Sequence, residues 1–345
     1  MAKGHHMNGA FLVNASRSGS TMMSTILRQH PDVLSLSEFM TNQGARALLP
    51  GKISGKAYWQ QLAKPTRLMR HLVNPNSAPN EFLYHTVTNQ RFDPFNCPPI
   101  LAVTLPHLFE RPDEVFDDLA KEVAQLPEQK RSDHHRAVID FLCVRTGQGF
   151  WVERSGGTLL ATAELARNFP EAKFVLMLRD GRDVTLSMQN YKPARFVVWF
   201  WKRAKSFGVD IFKPGSQIGS TSWIAFMEKL SGQILPFDRI LKTKPSLADT
   251  AACWSALTAN GLKQFQKLPV HRRQVIRYEN VVHSPRSELS RLAEHLELPN
   301  NSSWLDFGSN VPRKLPPRHL SLPLADQRKL NALTAVTMEL ADQIV

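Results

Sequence analysis

Ala10-Phe-Leu-Val-Asn-Ala-Ser-Arg-Ser-Gly-Ser-Thr-Met-Met-Ser-Thr-Ile-Leu27 decides the fold. It opens with a short apolar run, as a strand buried on both faces does. Small residues and hydroxyls follow in Ser16-Arg17-Ser18-Gly19-Ser20-Thr21, and then apolar residues at helical spacing. Strand, tight loop and helix start in that order aim backbone N–H groups at a helix N-terminus, where they close on an anion. Gly19 lets the backbone approach without a clashing side chain. The loop departs from the nucleoside-triphosphate pattern G-x-x-x-x-G-K-[ST]: Asn14 stands for the first glycine and Ser20 for the lysine. The positive charge has moved upstream to Arg17, which suits a donor carrying a shorter anionic group on its 5′-phosphate. Taken alone, the stretch also fits an ordinary strand-to-helix turn.

Phe169-Pro-Glu-Ala-Lys-Phe-Val-Leu-Met-Leu-Arg179-Asp-Gly-Arg182-Asp183-Val-Thr-Leu-Ser187 repeats that grammar, with an apolar strand, a charged turn and a helix. Arg179 at the strand end and Ser187, eight residues on, can converge on one phosphate. The guanidinium supplies a planar fork and the hydroxyl a further bond. The alternative is a solvated, salt-bridged turn. Taken together and in this order, the two segments resemble the sulfotransferase family that uses 3′-phosphoadenosine-5′-phosphosulfate (PAPS). The likeness is to its bacterial and tyrosylprotein branches more than to its phenol branch. It implies that Arg17, Ser18, Gly19, Ser20 and Thr21 hold the 5′-phosphosulfate and that Arg179 and Ser187 bind the 3′-phosphate. The fold it implies is α/β and P-loop-like: three layers, with a parallel central sheet flanked by helices.

The resemblance continues through Leu27-Arg-Gln-His30-Pro31-Asp32-Val33-Leu-Ser-Leu-Ser-Glu38, where the family turns after its first helix and presents a catalytic glutamate. It makes Glu38 the general base that takes the acceptor hydroxyl's proton. Without it, Glu38 reads as the cap of a helix beginning near Phe39. Phenol sulfotransferases use a histidine instead; the nearest echo, Val103-Thr104-Leu105-Pro106-His107, lacks their lysine and reads as a helix entry. Trp151-Val-Glu-Arg154-Ser155-Gly156-Gly157-Thr158 opens another strand-loop-helix at a place where relatives carry a lysine. Arg154 is therefore either a cation near the transferred group or half of an ion pair with Glu153 or another acid. Tyr278, ending the late strand Gln274-Val-Ile-Arg-Tyr278, matches a tyrosine near the nucleotide, or simply packs. Arg313 and Lys314 lie where the family reaches the 3′-phosphate, though in a Pro-rich rather than a Gly-rich stretch.

Lys and Arg number 43 against 30 Asp and Glu, a formal charge of +13 that favours anionic ligands. Nucleic acid or an anionic membrane surface would suit the same charge, but no helix-turn-helix or zinc-finger pattern is present. His134 and His135 are adjacent, so they point to different helix faces, and no metal site is expected. The three cysteines are widely spaced and odd in number, which favours a reducing compartment, the cytoplasm. No 18-residue apolar span occurs, and the first core strand begins by about residue 10, so neither a transmembrane segment nor a signal anchor is expected.

Residues 1–345 read as one domain with a helical lid insert at about 193–247, whose aromatics alternatively form the buried side of a helix. Helices are expected over Lys56–Val73, broken at Pro65, and over Asp113–Leu126 and Arg131–Thr146, with an exposed loop at Asn74–Asn80. The expected chemistry is sulfuryl transfer from PAPS to a hydroxyl acceptor, which a sugar, lipid alcohol, phenol or peptidyl tyrosine would each supply. The alternatives are a P-loop nucleotide or small-molecule kinase, against which the missing loop lysine counts, and a non-catalytic basic protein that grips anions or nucleic acid. Oligomeric state is not legible.

Overall fold

The computed structural model describes residues 6–212 and 235–344. Its strands are β1 (Asn8–Asn14), β2 (Val33–Ser37), β3 (Lys52–Ile53), β4 (Gln129–Lys130), β5 (Phe150–Arg154), β6 (Lys173–Leu178) and β7 (Arg273–Arg277). β3 and β4 form a small antiparallel pair; the other five form one sheet in the order β2-β5-β1-β6-β7, with every pairing parallel.

The apolar strand runs are buried on both faces because successive side chains point opposite ways. Ala10, Leu12, Val33, Val152, Val175, Met177 and Ile276 meet helices Ser20–Leu27, Pro285–Leu296 and Ser302–Asn310 through Met23, Ile26, Leu289, Leu292 and Trp304. Phe11, Val13, Leu34, Leu36, Trp151, Phe174 and Leu176 face the opposite layer. That layer is built on Arg131–Thr146, Gly181–Asn190 and Leu247–Phe265, and it buries Val138, Leu142, Val184, Trp254, Leu257 and Phe265. The architecture is thus α/β in three layers, with helices on both sides of a parallel sheet.

The helices follow the expected pattern closely. Pro65 separates Gly55–Ala63 from Arg67–Leu72, and Thr66 caps the second by accepting from the Met69 amide. Pro112–Ala124 and Arg131–Thr146 cover the next two expected segments. The stretch Asn74–Asn80, expected as an exposed loop, is exposed at Asn76, Pro79 and Asn80 but folds inward at Asn74, Ser77 and Ala78. Asn74 Oδ1 accepts the amides of Asn76 and Ser77 at 2.9 and 3.0 Å, its Nδ2 donates to the Arg70 and His71 carbonyls, and Ser77 and Ala78 are buried.

Of the expected lid, Lys192–Ser206 and Phe237–Lys242 are helices, and residues 213–234 lie outside the described residues. Phe196 and Trp201 are buried: Phe196 packs with Leu68 and Phe237, and Trp201 stacks on Phe212. No helix among the described residues is long and apolar enough to cross a membrane.

Parallel strands all end on the same edge of the sheet, so their following loops gather there. Asn14 and Arg154 close β1 and β5, while Glu38, Arg179 and Tyr278 directly follow β2, β6 and β7.

Candidate active site

The loop after β1 is held in a costly backbone shape. Ser16 and Arg17 adopt positive φ values of 79° and 55°, and Glu38 one of 57°; few non-glycine residues among those described do so. Gly19, at φ 89°, has a second reason to be glycine: a Cβ there would come within 2.4 Å of the Tyr278 ring. Asn14, which replaces the usual first glycine, is fully buried and stitches two loops together. Its Oδ1 accepts the Ser16 amide at 2.8 Å and its Nδ2 donates to the Ser155 carbonyl at 3.2 Å. The helix Ser20–Leu27 begins with neither a side-chain cap nor an acidic residue in its first turn. Its first amides and dipole therefore meet no carboxylate of their own turn, an arrangement open to an anion.

Ser37 and Arg154 are register partners on the adjacent strands β2 and β5, which brings Glu38 beside Arg154. Arg154 pairs with Glu38 through Nη1 and donates from Nη2 to Ser37 Oγ at 2.6 Å, while the Gly156 amide donates to Glu38 Oε2 at 3.1 Å. Burial raises the Glu38 carboxyl above its ordinary range; the Arg154 charge opposes that and Glu81 adds to it. Glu38 is thus a carboxylate withdrawn from water, made more basic by burial and held in one orientation.

Of the acids the sequence offered Arg154, the partner is Glu38 and not the adjacent Glu153. Neighbours along a strand point to opposite faces, and Glu153 turns to the Ser155 hydroxyl and the Met40 amide, both donating to its Oε1, with Oε2 unpartnered. Burial pushes its carboxyl up to about 7.

A second pair faces the same cavity. Arg17 joins Glu81 through Nη1, donates from Nε to Ser187 Oγ at 3.1 Å and lies over the Tyr191 ring at 4.6 Å, while the Tyr191 hydroxyl donates to Glu81. Burial, reinforced by Glu81, pushes the Tyr191 hydroxyl well above its ordinary value, so it stays a donor. Arg179 lies 4.3 Å over the Tyr278 ring and only 3.8 Å from Asp183, with its Nε unpartnered. In the charged turn, Arg182 rather than Arg179 takes Asp180.

The cavity measures about 320 Å³, within the range of small-ligand sites. It brings together Arg17, Gly19, Ser20, Thr21, Glu38, Arg154, Arg179 and Ser187 from the sequence expectations. The three arginines against Glu38 and Glu81 leave it positive. Ser18 is not among the lining residues: it is buried and donates to the Ser16 carbonyl at 3.2 Å. Tyr278 stands behind Gly19 and Arg179 rather than in the cavity.

Arg313 and Lys314 are exposed on the stretch after Ser302–Asn310, away from the lining. The far end of that stretch is pinned to the helix Gly181–Asn190, where His319 donates its amide to Asp183 Oδ1 at 3.0 Å. His107 lies outside the cavity, buried 3.4 Å from Ser24 Oγ, and burial pushes it down to about 3. His134 and His135 are spent on the Ile53 and Ala47 carbonyls at 2.8 Å each, and among the described residues no group of three or more His, Cys, Asp or Glu could hold a metal ion.

Sequence reasoning missed Glu81, Tyr191 and the stitching role of Asn14. Tyr191 had a signal, since it stands four residues after Ser187 and so on the same helical face; Glu81, in a Pro- and Asn-rich loop, had none.

The sequence matches the profile described as Sulfotransferase family over residues 10–208. No curated protein matches it. Among solved structures, it is similar to a sulfotransferase domain from the curacin biosynthetic pathway, with 15% identity, 98% of each chain covered and a TM-score of 0.47. A sulfotransferase domain from the Synechococcus PCC 7002 olefin synthase gives 15% identity, 99% and 96% coverage and a TM-score of 0.44. A Mycobacterium avium sulfotransferase gives 14% identity, 99% and 77% coverage and a TM-score of 0.46.

Proposed function

The chain belongs to the sulfotransferase family, and from that premise we propose that it transfers a sulfuryl group from PAPS to the hydroxyl of an acceptor, with Glu38 as general base. The observation that carries this reading is the meeting, in one cavity, of a buried carboxylate with Arg17, Arg179 and Ser187.

The donor supplies the sulfuryl group. As the acceptor oxygen bonds to sulfur, the bond from sulfur to the 5′-phosphate oxygen breaks and leaves its electron pair on that oxygen, while the acceptor proton passes to Glu38. Arg154 opposes the effect of burial on Glu38 and adds positive charge where the sulfonate develops negative charge. Arg17, Ser20, Thr21 and the first amides of Ser20–Leu27 hold the 5′-phosphate and stabilise the leaving oxygen; Gly19 admits the approach and Ser18 braces the loop. Arg17 is paired with Glu81, and the donor's phosphate competes with Glu81 for it.

Arg179 and Ser187 bind the 3′-phosphate, with Tyr278 backing the guanidinium; Arg313 and Lys314, exposed and away from the cavity lining, take no part in this reading. The three buried, unpaired cysteines suit a reducing compartment, and we assign the enzyme to the cytoplasm as a single domain over 1–345.

Calorimetry with 3′-phosphoadenosine-5′-phosphate (PAP) and AMP tests the donor. Loss of a charge-assisted contact of about 2–4 kcal/mol predicts roughly 30- to 1,000-fold weaker binding of AMP. Arg179→Ala is expected to erase most of that preference. Equal affinity for the two nucleotides would overturn the assignment.

A further inference from the structure

The cavity has two kinds of wall. Its charged side comes from the loops at the sheet edge. The remainder comes from the helix Arg67–Leu72, the folded loop after it, the start of Lys192–Ser206 and one residue of Leu247–Phe265, and it presents Met69, Leu72, Val73, Phe82, Val197 and Leu257. Leu68 and Phe196 share one apolar cluster, which joins the two helices into a continuous surface.

The side-chain donors beside this wall are given to other groups of the protein. Thr41 donates to the Gly156 carbonyl at 3.2 Å, Asn42 donates to the Pro99 carbonyl at 3.1 Å, and the Tyr191 hydroxyl is given to Glu81. A polyhydroxylated acceptor would bury several hydroxyl oxygens without a donor there, each costing roughly 5- to 150-fold in affinity. A hydrocarbon surface gains from the same wall by leaving water.

We infer that the acceptor is an uncharged, hydrocarbon-rich alcohol that presents one hydroxyl to Glu38 and lays its apolar body on this wall. The inference rests on the reading of the cavity as a sulfuryl-transfer site. It selects among the acceptors open to the sequence, against a sugar and against a peptide.

The test measures transfer from sulfur-labelled PAPS to straight-chain alcohols from butanol to decanol, to methyl glucoside and to a tyrosine-containing peptide, with PAP affinity measured in parallel. kcat/KM is expected to rise about two- to fourfold per methylene over the first several carbons, the upper figure being full burial of each group. The glucoside and the peptide are expected to fall about 100-fold or more below decanol. Val73→Thr and Val197→Thr keep the side chain's shape at half-buried positions. Each is expected to lower kcat/KM for decanol roughly three- to tenfold and to leave PAP affinity within about twofold.

A flat chain-length series, preference for the glucoside or peptide, or no transfer to any alcohol, each with PAP bound normally, overturns the inference. If PAP itself does not bind, the donor reading is what fails. The wall is then tested without the donor, by displacement of an environment-sensitive fluorescent fatty probe with decanol and with methyl glucoside. Displacement by decanol alone supports the apolar acceptor, and displacement by both or by neither overturns it.

Discussion

Arg154 and Glu38 stand at the ends of neighbouring strands with side chains 5% and 10% exposed, whereas Arg17 and Glu81 join a strand-end loop to an unrelated loop with side chains 29% and 16% exposed. Both are arginine–carboxylate pairs on one cavity, but burial sets them apart. A buried pair cannot part cheaply, because either partner left alone is an uncompensated charge away from water. A partly solvated pair loses little when its partner is exchanged. In the proposed function the inner pair is therefore a fixed part of the chemistry, and the outer pair a grip that an anionic donor takes over.

The largest expected effect breaks the inner pair. Arg154→Met leaves the Glu38 carboxyl buried without its cation and is expected to cost about 3–5 kcal/mol of stability at neutral pH. Arg17→Met is expected to cost less than about 1 kcal/mol. Chemical denaturation of the two variants measures both, and equal losses would erase the distinction.

A second test concerns the carboxyl next to Arg154 in sequence. Glu153 is held protonated by burial up to about 7, against an ordinary value of 4.5. The unfolded chain gives up that proton from its ordinary value upward, while the fold keeps it until its raised value. Stability from this group is thus fully present at acidic pH, is lost as pH rises between the two values, and is flat above, for a total of roughly 3 kcal/mol. Glu153→Gln cannot ionise and is expected to lack this loss, so denaturation at pH 5 and pH 8 should separate the variant from the parent chiefly at pH 8. An unchanged difference between the two pH values would contradict the buried, neutral carboxyl.

The smallest effect probes the outer pair. Glu81→Gln releases Arg17 from its counter-ion and is expected to strengthen PAP binding by roughly three- to tenfold, in line with the worth of a partly exposed pair. Unchanged or weaker binding by calorimetry would mean that Glu81 does not compete with the donor.

The same two pairs mark how far the sequence could be read. Parallel strands that end in a short loop have a recognisable wording, so Arg17, Glu38, Arg154 and Arg179, which reach the cavity from β1, β2, β5 and β6, were legible, as was the three-layer fold. Arg154's partner was less so. The adjacent Glu153 looked nearest, but strand alternation turns it away, and the true partner arrives through the register of β2 against β5, which no local pattern states. Glu81 was invisible because its loop lies inward only through the side chain of Asn74, and an Asn/Pro-rich stretch ordinarily stays in solvent. The apolar wall was legible only where the expected lid contributes Val197; its other segments carry no chemistry of their own.

Glu38 carries the central claim, and one variant tests it most directly. Glu38→Gln keeps the side chain's shape and removes its basicity; with labelled PAPS and an acceptor alcohol, turnover is expected to fall by about 10²–10⁴-fold, the usual worth of a general base, with PAP affinity within about twofold of the parent. Turnover close to that of the parent, with PAP bound as before, would contradict the account.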